Sequence, residues 1–572
     1  VSITAGVLLA VMAWIGVRAV IAGAHLREAE ASVATLLEQL NEPAAAADAM
    51  AEIGRRTAAA RGLTSDPVWR AAEEIPGVGP QLHAVRTLTA SVDDLARTAG
   101  APLVDHAVEH LAGLWSPDGI DLERLSALGA AADDAATRIA TASAPLHGIE
   151  RSILVPPLRS AIDEAVAGME KARDAADLVS QAGRSLPALL GADGPRHYLL
   201  LFQNNAEWRS LGGIPGAMAL VRAEAGAIEL VRQESTNDFR RFRQPVLELD
   251  DDVQALFGPS PGRWVQNITQ VPDFAVTGAI AQEMWAREHA GQRVDGVVSF
   301  DPVGLSYLLE ATGPVVTEGG RMLRSATVVD LLLSDSYRHY GEQGSQDDFF
   351  ADAAATVFSK VTSGDLDAGR LAGAIARAAD ERRLLLWSAR ADERALIADA
   401  DLAGGLPRTD AETARFGVFL NDGTGAKMDY YQTARADVRW ESCRLDGPGA
   451  TGTARIDVTI RNDAPDGAAS LPAYITSGGR YGLDPGTVRT VVYIYLPHGF
   501  DLVGAEVTGD VGFGGGEHDG HRVVSVSVDI LPGESATVAV TAVARVPSAA
   551  SLDVVSTPII GGMVVNRDEC GS

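Results

Sequence analysis

The sequence predicts a multidomain α+β chain: an apolar N-terminal helix of membrane-spanning length, a helical bundle or stalk, a central layered α/β domain and a C-terminal antiparallel β-sandwich. Three observations predict it. An apolar stretch over residues 2–24, interrupted by Arg18, gives way to alanine- and leucine-rich sequence with apolar residues at three and four spacings. From about residue 183, strand-like apolar runs alternate with helical patterns. Beyond about residue 431 the period becomes two, with Pro, Gly and Asp turns at sandwich-like spacing. The implied boundaries are 1–24, 25–182, 183–430 and 431–572.

Composition sets outer limits. A chain of 572 residues exceeds what one core serves, and usual domain sizes give about three or four units. Hydrophobic residues make up 46% and charged residues 22%, which is the balance of a folded protein. The 48 Lys+Arg against 76 Asp+Glu leave a net charge of −28, which disfavours nucleic acid and anionic surfaces as partners. An anionic ligand therefore needs local arginines. The two cysteines, Cys443 and Cys570, exclude a disulfide-rich scaffold and a cysteine-based zinc site. In an oxidising compartment they would form one bridge pinning the C-terminal tail, and otherwise they are two free thiols.

Each element has its reason. Residues 2–24, SITAGVLLAVMAWIGVRAVIAGA, are about long enough to cross a hydrocarbon core, and Arg18 lies near enough to one end to snorkel. The stretch is too long for an ordinary cleaved signal, so an uncleaved single-pass anchor is expected. The bulk of the chain would then stand outside the cytoplasm, a placement inferred from the cysteines and the acidity. From His25 to about Gln181, repeats such as Val33, Leu36, Leu37 and Leu40 mark amphipathic helices. Breaks at Pro43, Gly62 to Pro67, Pro76 to Pro80 and Ser116 to Gly119 separate them, as in an antiparallel bundle. His106 and His110 share a helical face, but no Glu follows the first histidine as in a zinc-protease helix, so solvent-facing imidazoles are expected.

The central domain is organised around Arg196 to Asp238. The run Tyr198 to Phe202 empties into Gln203-Asn204-Asn205-Ala206-Glu207-Trp208-Arg209, the pattern of a buried strand delivering polar side chains at its carboxyl end. Open α/β sheets place ligands there. Asn204 and Asn205 could position a sugar or carboxylate, or satisfy turn backbone. Trp208 could stack on a sugar face, or pack. Further on, Asp295 to Phe300 reads as a strand ending at Asp301-Pro302, followed by helices at about 304–312, 325–340, 348–362 and 368–400. Past Lys427, the runs Thr453 to Arg461, Val488 to Leu496, Leu502 to Val507, Val523 to Ile530 and Ala536 to Ala544 read as sandwich strands. No solenoid repeat, Gly-x-Ser-x-Gly elbow or P-loop occurs, and Pro215 spoils Gly212 to Gly216 as a dinucleotide fingerprint.

Four long motifs carry a resemblance: LLGADGPRHYLLLFQNNAEWRSLGGIPGAM (Leu189 to Met218), DGVVSFDPVGLSYLLEATGPV (Asp295 to Val315), GVFLNDGTGAKMDYY (Gly417 to Tyr431) and LPAYITSG (Leu471 to Gly478). Together they resemble an uncharacterised actinobacterial membrane-protein family catalogued as domain of unknown function 4012, which has no assigned chemistry. The order of elements in the central domain also resembles the LytR-CpsA-Psr phosphotransferases. Those extracytoplasmic enzymes move glycans from a polyprenyl-pyrophosphate carrier to the cell wall with a divalent metal. Their strand-terminal Asp-x-Arg is matched by Glu207-Trp208-Arg209, and their Ser-Ile-Pro-Arg-Asp stretch by Val231-Arg232-Gln233-Glu234-Ser235. Their Gly-Gly-Val corresponds to Gly313-Pro314-Val315, and their arginine loop and Arg-Gln helix to Tyr337-Arg338 and Asp347-Asp348-Phe349-Phe350.

The resemblance implies that Glu207 and Asp347 would hold Mg2+ while Arg209, Arg232 and Arg338 steady phosphate charge. The Arg-Gln helix has lost its arginines, so either Arg240, Arg241 and Arg243 rebuild the site or binding remains without catalysis. The expectation is a cell-envelope protein that binds or scaffolds a cell-wall glycan or lipid-linked precursor, with envelope protein partners and no nucleic acid. An active metal-dependent glycan phosphotransferase or pyrophosphatase acting on polyprenyl-phosphate lipid is the alternative.

Overall fold

The computed structural model describes residues 2–38, 43–111, 113–339, 343–363, 368–398, 400–447, 449–509 and 511–571. It describes their side chains except those of 2–12, 37, 38, 43, 338, 339, 343–345, 347, 368, 446 and 546. The chain is multidomain α+β and divides into two compact units. The first is formed mainly by residues up to Pro195, the second by Arg196–Ala223, Ile228–Thr362 and Arg370–Ser572.

The first unit is helical, with helices Ser2–Glu38, Pro43–Thr64, Gly79–Leu95, Ala101–Leu111, Leu122–His147 and Pro156–Leu189. Between them β1 (Trp115–Ser116) and β2 (Gly119–Ile120) make a small antiparallel ladder. Asp121 caps Leu122–His147 by accepting from Glu123 N and Arg124 N, each at 3.0 Å. That helix packs along Pro156–Leu189 through Ile139, Leu146, Ile162 and Met169. Gly129 and Gly183 meet backbone to backbone, and a Cβ on Gly183 would lie 2.4 Å from Gly129 Cα.

The expected transmembrane anchor is corrected here. Among the described residues no helix is long and apolar enough to cross a membrane, so a single-pass membrane protein is not supported. The side chains of residues 2–12, within the expected span, lie outside the described residues. In the described part the helix runs without a break into polar sequence up to Glu38. Ile15 packs with Trp69, Ala72 and Leu82, and Ala29 and Leu36 pack with Met50 and Ile53. Arg18 does not snorkel: it donates to Leu63 O at 2.7 Å and Gly62 O at 3.1 Å and pairs with Asp66 at 3.2 Å. Part of the apolar content that reads as a lipid-facing span is thus spent on neighbouring helices.

The second unit begins with β3 (Arg196–Arg209), β4 (Gly212–Glu224), β5 (Ala227–Ser235) and β6 (Gly296–Phe300). After a ladder of β7 (Val315–Val316) and β8 (Met322–Leu323) comes β9 (Leu384–Ser388). The central sheet has the order β5-β4-β3-β6-β9, with β3 and β6 parallel and β9 antiparallel to β6. Side chains alternate across it. Leu199, Leu201 and Val297 face helix Phe274–Glu288 through Ile280, Met284 and Trp285. Leu200, Phe202, Val298 and Phe300 face the opposite layer, with helices Pro302–Thr312, Gln343–Thr362 and Ala368–Asp380.

The C-terminal strands are β10 (Thr413–Asp422), β11 (Gln432–Asp446), β12 (Gly449–Asn462), β13 (Val488–Tyr495), β14 (Phe500–Val507), β15 (Gly514–His518), β16 (His521–Ile530), β17 (Ser535–Ala549), β18 (Ser551–Ser556), β19 (Val564–Asn566) and β20 (Asp568–Glu569). The expected antiparallel sandwich is instead two mixed sheets, β15-β16-β13-β10-β18-β20 and β14-β17-β12-β11-β19. β10 pairs parallel with β18, and β11 parallel with β19, because the last strands return to central partners that already run in the same direction. Phe416, Val418, Ile456, Val458, Val492, Val526 and Val540 form their common core. Cys443 on β11 and Cys570, just beyond β20, are joined by a disulfide with Cα atoms 5.8 Å apart. β10 lies within the bounds expected for the central domain, 183–430, and its sheet belongs to the same compact unit as β3.

Candidate functional site

β3 does not end at Phe202. It continues to Arg209, with register shifts after Phe202 and between Asn204 and Trp208, so that residues 205–207 bulge out of the ladder with β4. The facing glycines permit this. A Cβ on Gly213 would sit 2.2 Å from Asn204 O, and Gly212 has φ +127° with its Cβ position 2.3 Å from Gln203 Oε1.

Gln203, Asn204, Asn205, Glu207 and Arg209 are each buried and bonded within the protein, while Asn205 Oδ1 and Trp208 Nε1 have no hydrogen-bond partner among the described residues. Gln203 donates to Ser299 Oγ and accepts from Gly213 N at 2.7 Å. Asn204 donates to Tyr337 OH and accepts from Ala206 N at 3.0 Å. Asn205 Nδ2 donates to Asp301 Oδ2 and to Pro558 O, both at 3.0 Å. Asp301 also caps its helix through Gly304 N at 2.7 Å and accepts from Arg383 Nη1 at 2.9 Å. Trp208 is fully buried, and its backbone N–H donates to Asp429 Oδ2 at 2.6 Å.

Glu207 and Arg209 engage each other. Arg209 Nη2 donates to Glu207 Oε1 at 3.1 Å and to Asn267 Oδ1 at 3.0 Å, and Nη1 donates to Trp208 O at 2.8 Å. Glu207 Oε2 lies 3.6 Å from Lys427 Nζ, which sits 5.3 Å from the Tyr337 ring centre and 5.1 Å from that of Tyr474. Burial works against the Lys427 ammonium, but its neighbours outweigh that and raise its pKa, with Glu207 the charge that acts at neutral pH. Burial and then the Glu207 charge push Asp422 up to about 6. Asp429 is also pushed well above the ordinary carboxylate range, by burial first and then Asp422. Arg209 is the cation that lowers both Asp422 and Asp429, and burial with the neighbouring carboxylates outweighs it, so the two aspartates favour retaining a proton.

The other sequence-predicted arginines are not gathered here. Arg232 is exposed and pairs with Glu234 at 3.1 Å. Arg240 pairs with Glu288 at 2.8 Å, Arg241 stacks 3.7 Å over the Trp264 ring, and Arg243 is exposed. The side chains of Arg338 and Asp347, one a phosphate-binding and the other a metal-binding expectation, lie outside the described residues. Trp208, without exposed surface, has no face to offer a sugar. Glu207, held by Arg209 and Lys427, would have to leave both to bind Mg2+. The metal-ligating group of His and carboxylate side chains found among the described residues is His106, Glu109 and His110, in the helical unit.

What the strand exit does border is a cavity of about 310 Å³ on the helix-covered face of the central sheet. Its walls include Leu200, Phe202, Val298, Leu333, Val357 and Ile375, and its polar contributors are Gln203, Asn204 and Asp301, each already bonded as described. Among the described residues no Arg or Lys lines it. Arg383 instead lines a second, polar cleft of about 920 Å³, where Arg377, Arg415 and Arg567 are ion-paired with Glu381, Asp410 and Asp553.

Sequence reasoning missed Tyr337, Asp422, Lys427 and Asp429 as partners of the strand exit. A signal existed: Val418 to Leu420 empties into Asn421-Asp422 just as Tyr198 to Phe202 empties into Gln203-Asn204. Asn421 Oδ1 accepts from Ser210 N at 3.1 Å, so the two polar exits face each other.

Residues 193–337 match the family model described as a protein of unknown function, DUF4012. No curated protein matches the sequence. Among solved structures, the X-ray structure of the Lin1025 protein from Listeria innocua aligns at 12% identity over 39% of this chain and 85% of that one. Its TM-score is 0.21, too low to relate the folds.

Proposed function

We propose that the second unit binds, without chemistry, one apolar chain of a lipid-class molecule in the cavity beside the exit of β3. The observation that carries this reading is the lining: hydrocarbon side chains, with the three polar contributors already engaged inside the protein. The cavity falls within the size range of small-molecule sites, roughly 300–1,000 Å³. Each methylene buried there would contribute about 0.8 kcal/mol. The resemblance of the strand order to LytR-CpsA-Psr phosphotransferases favours a polyprenyl chain as occupant. A phosphoryl-transfer role is less well supported, since Glu207 and Arg209 would first have to give up a buried mutual pair.

Titration with a fluorescent fatty acid, followed by displacement with polyprenol, polyprenyl phosphate or a soluble oligosaccharide, tests this. Saturable binding at one probe per chain is expected, with polyprenol and polyprenyl phosphate displacing it comparably because among the described residues no cation lines the cavity. Failure to saturate, or displacement by the oligosaccharide alone, would overturn the reading. Magnesium-dependent phosphate release from polyprenyl pyrophosphate that is lost in Glu207→Gln would favour the phosphotransferase instead.

A further inference from the structure

We propose that His106, Glu109 and His110 form a binding site for a divalent transition-metal ion of the zinc and nickel class on helix Ala101–Leu111. The three residues stand at i, i+3 and i+4, which places them on one helical face. Their ligand atoms all lie within 4.8 Å of one another. The two imidazole rings are nearly parallel, with planes 8° apart and centroids 5.9 Å apart. A metal held about 2.0–2.1 Å from each ring nitrogen needs the donors to close by rotamer adjustment alone. His106 and Glu109 are exposed and His110 partly so, so that adjustment displaces no packed neighbour.

The supporting backbone is held by packing where the ligands are exposed or partly so. Val104 is buried with Met50 and Ile53, and Val108 packs against the same cluster. Arg124 Nη1 donates to Glu109 O at 2.9 Å, tying the ligand-bearing turn to the start of helix Leu122–His147. The three side chains carry no hydrogen bond or ion pair among the described residues, so a metal competes with water and not with a protein partner. His106 also borders a recess of about 340 Å³ walled by Pro102, Leu103, Ala127, Ala131 and Ala135. With three protein ligands the ion keeps an open position, as catalytic and exchangeable zinc sites do. Two imidazoles with one carboxylate select Zn2+, Ni2+ or Cu2+ over Mg2+ and Ca2+, which prefer all-oxygen ligand sets.

The test uses the full chain, free of any histidine tag and stripped with a chelator, titrated calorimetrically with Zn2+ and with Ni2+. One equivalent is expected to bind saturably. His106→Ala and His110→Ala are each expected to weaken binding by about tenfold or more, with circular dichroism unchanged because the rings are not part of the core. Glu109→Gln is expected to weaken it less than either. Absence of saturable binding in the parent overturns the proposal. So does equal affinity in the parent and both histidine variants, which would place the ion on the acidic surface.

Discussion

Arg209 Nη2 donates to Glu207 Oε1 at 3.1 Å across two positions of one strand, and both side chains are almost wholly buried. A charge pair in that setting adds little net stability when intact, but breaking it leaves one charge buried without its counterpart. Arg209→Ala is expected to lower unfolding free energy by about 3–5 kcal/mol in urea titration. An apolar replacement of the whole set, Glu207→Leu with Arg209→Met and Lys427→Met, is expected to recover part of that loss, because Glu207→Leu without the last would leave Lys427 buried and unpaired. A cost for Arg209→Ala below about 1 kcal/mol, the range of exposed pairs, would contradict the burial of the pair.

The cluster around Glu207 also sets a pH dependence. Asp422 is held up at about 6 by burial and the Glu207 charge, whereas an aspartate in an unfolded chain titrates near about 3.9. The folded state therefore keeps a proton that the unfolded state releases. The stabilisation is fully present below the unfolded value and is lost as pH rises through about 6. Its size is about 1–3 kcal/mol, allowing for partial solvent access to Asp422. His518 and His521, whose pKa values burial lowers, act in the opposite sense, gaining stability as pH rises toward their unfolded value. The difference between Asp422→Asn and parent cancels the histidines and reports Asp422 together with its effect on Asp429: relative to the parent, the variant is expected to gain melting temperature between pH 4.5 and 7. Parallel curves for the two proteins would refute it.

The cavity beside the strand exit offers a separable test. Ala354 lines it from helix Gln343–Thr362 and is only partly buried. Ala354→Trp is expected to weaken fatty-acid probe binding by about tenfold or more, since the indole occupies much of a small-molecule-sized space. Melting temperature is expected to stay within a few degrees of the parent. Unchanged binding would place the probe elsewhere on the molecule.

Two glycines of one helix are expected to respond with opposite sign. A Cβ on Gly183 would lie 2.4 Å from Gly129 Cα, so Gly183→Ala forces the two long helices apart and is expected to cost about 1–3 kcal/mol. Gly168 has nothing within 4 Å of its Cβ position. Gly168→Ala is therefore expected to stabilise by about 0.5–1 kcal/mol through helix propensity alone. Thermal melts of the two variants beside the parent measure both.

Period and composition made the α+β class, the helical first unit and the strand-rich C-terminal part readable, because those signals are local. Residues 198–202 announced β3 for the same reason. Its continuation through Glu207 and Arg209 was not readable, since polar residues persist in a strand only where partners arrive from elsewhere. Those partners are Asn267, Tyr337, Lys427 and Asp429, up to 221 positions away. The arginine site failed for a related reason: spacing along the chain says nothing about whether Arg232 and Arg209 reach one pocket, and here one is exposed and the other buried. The anchor at 2–24 was misjudged because hydropathy does not distinguish lipid from a neighbouring helix, and Ile15 found Trp69.

Trp208 N depends on Asp429, and Ser210 N on Asn421. That dependence has a hereditary side. The segment 193–337 contains both donors and neither acceptor. Moved alone between genes, it would arrive with two buried amides unanswered, each a cost of about 1–3 kcal/mol. Selection would then act on Asn421 and Asp429 through the fate of a strand two hundred positions upstream. In related chains these two residues are expected to change in step with residues 203–210, and less closely with their own neighbours in sequence.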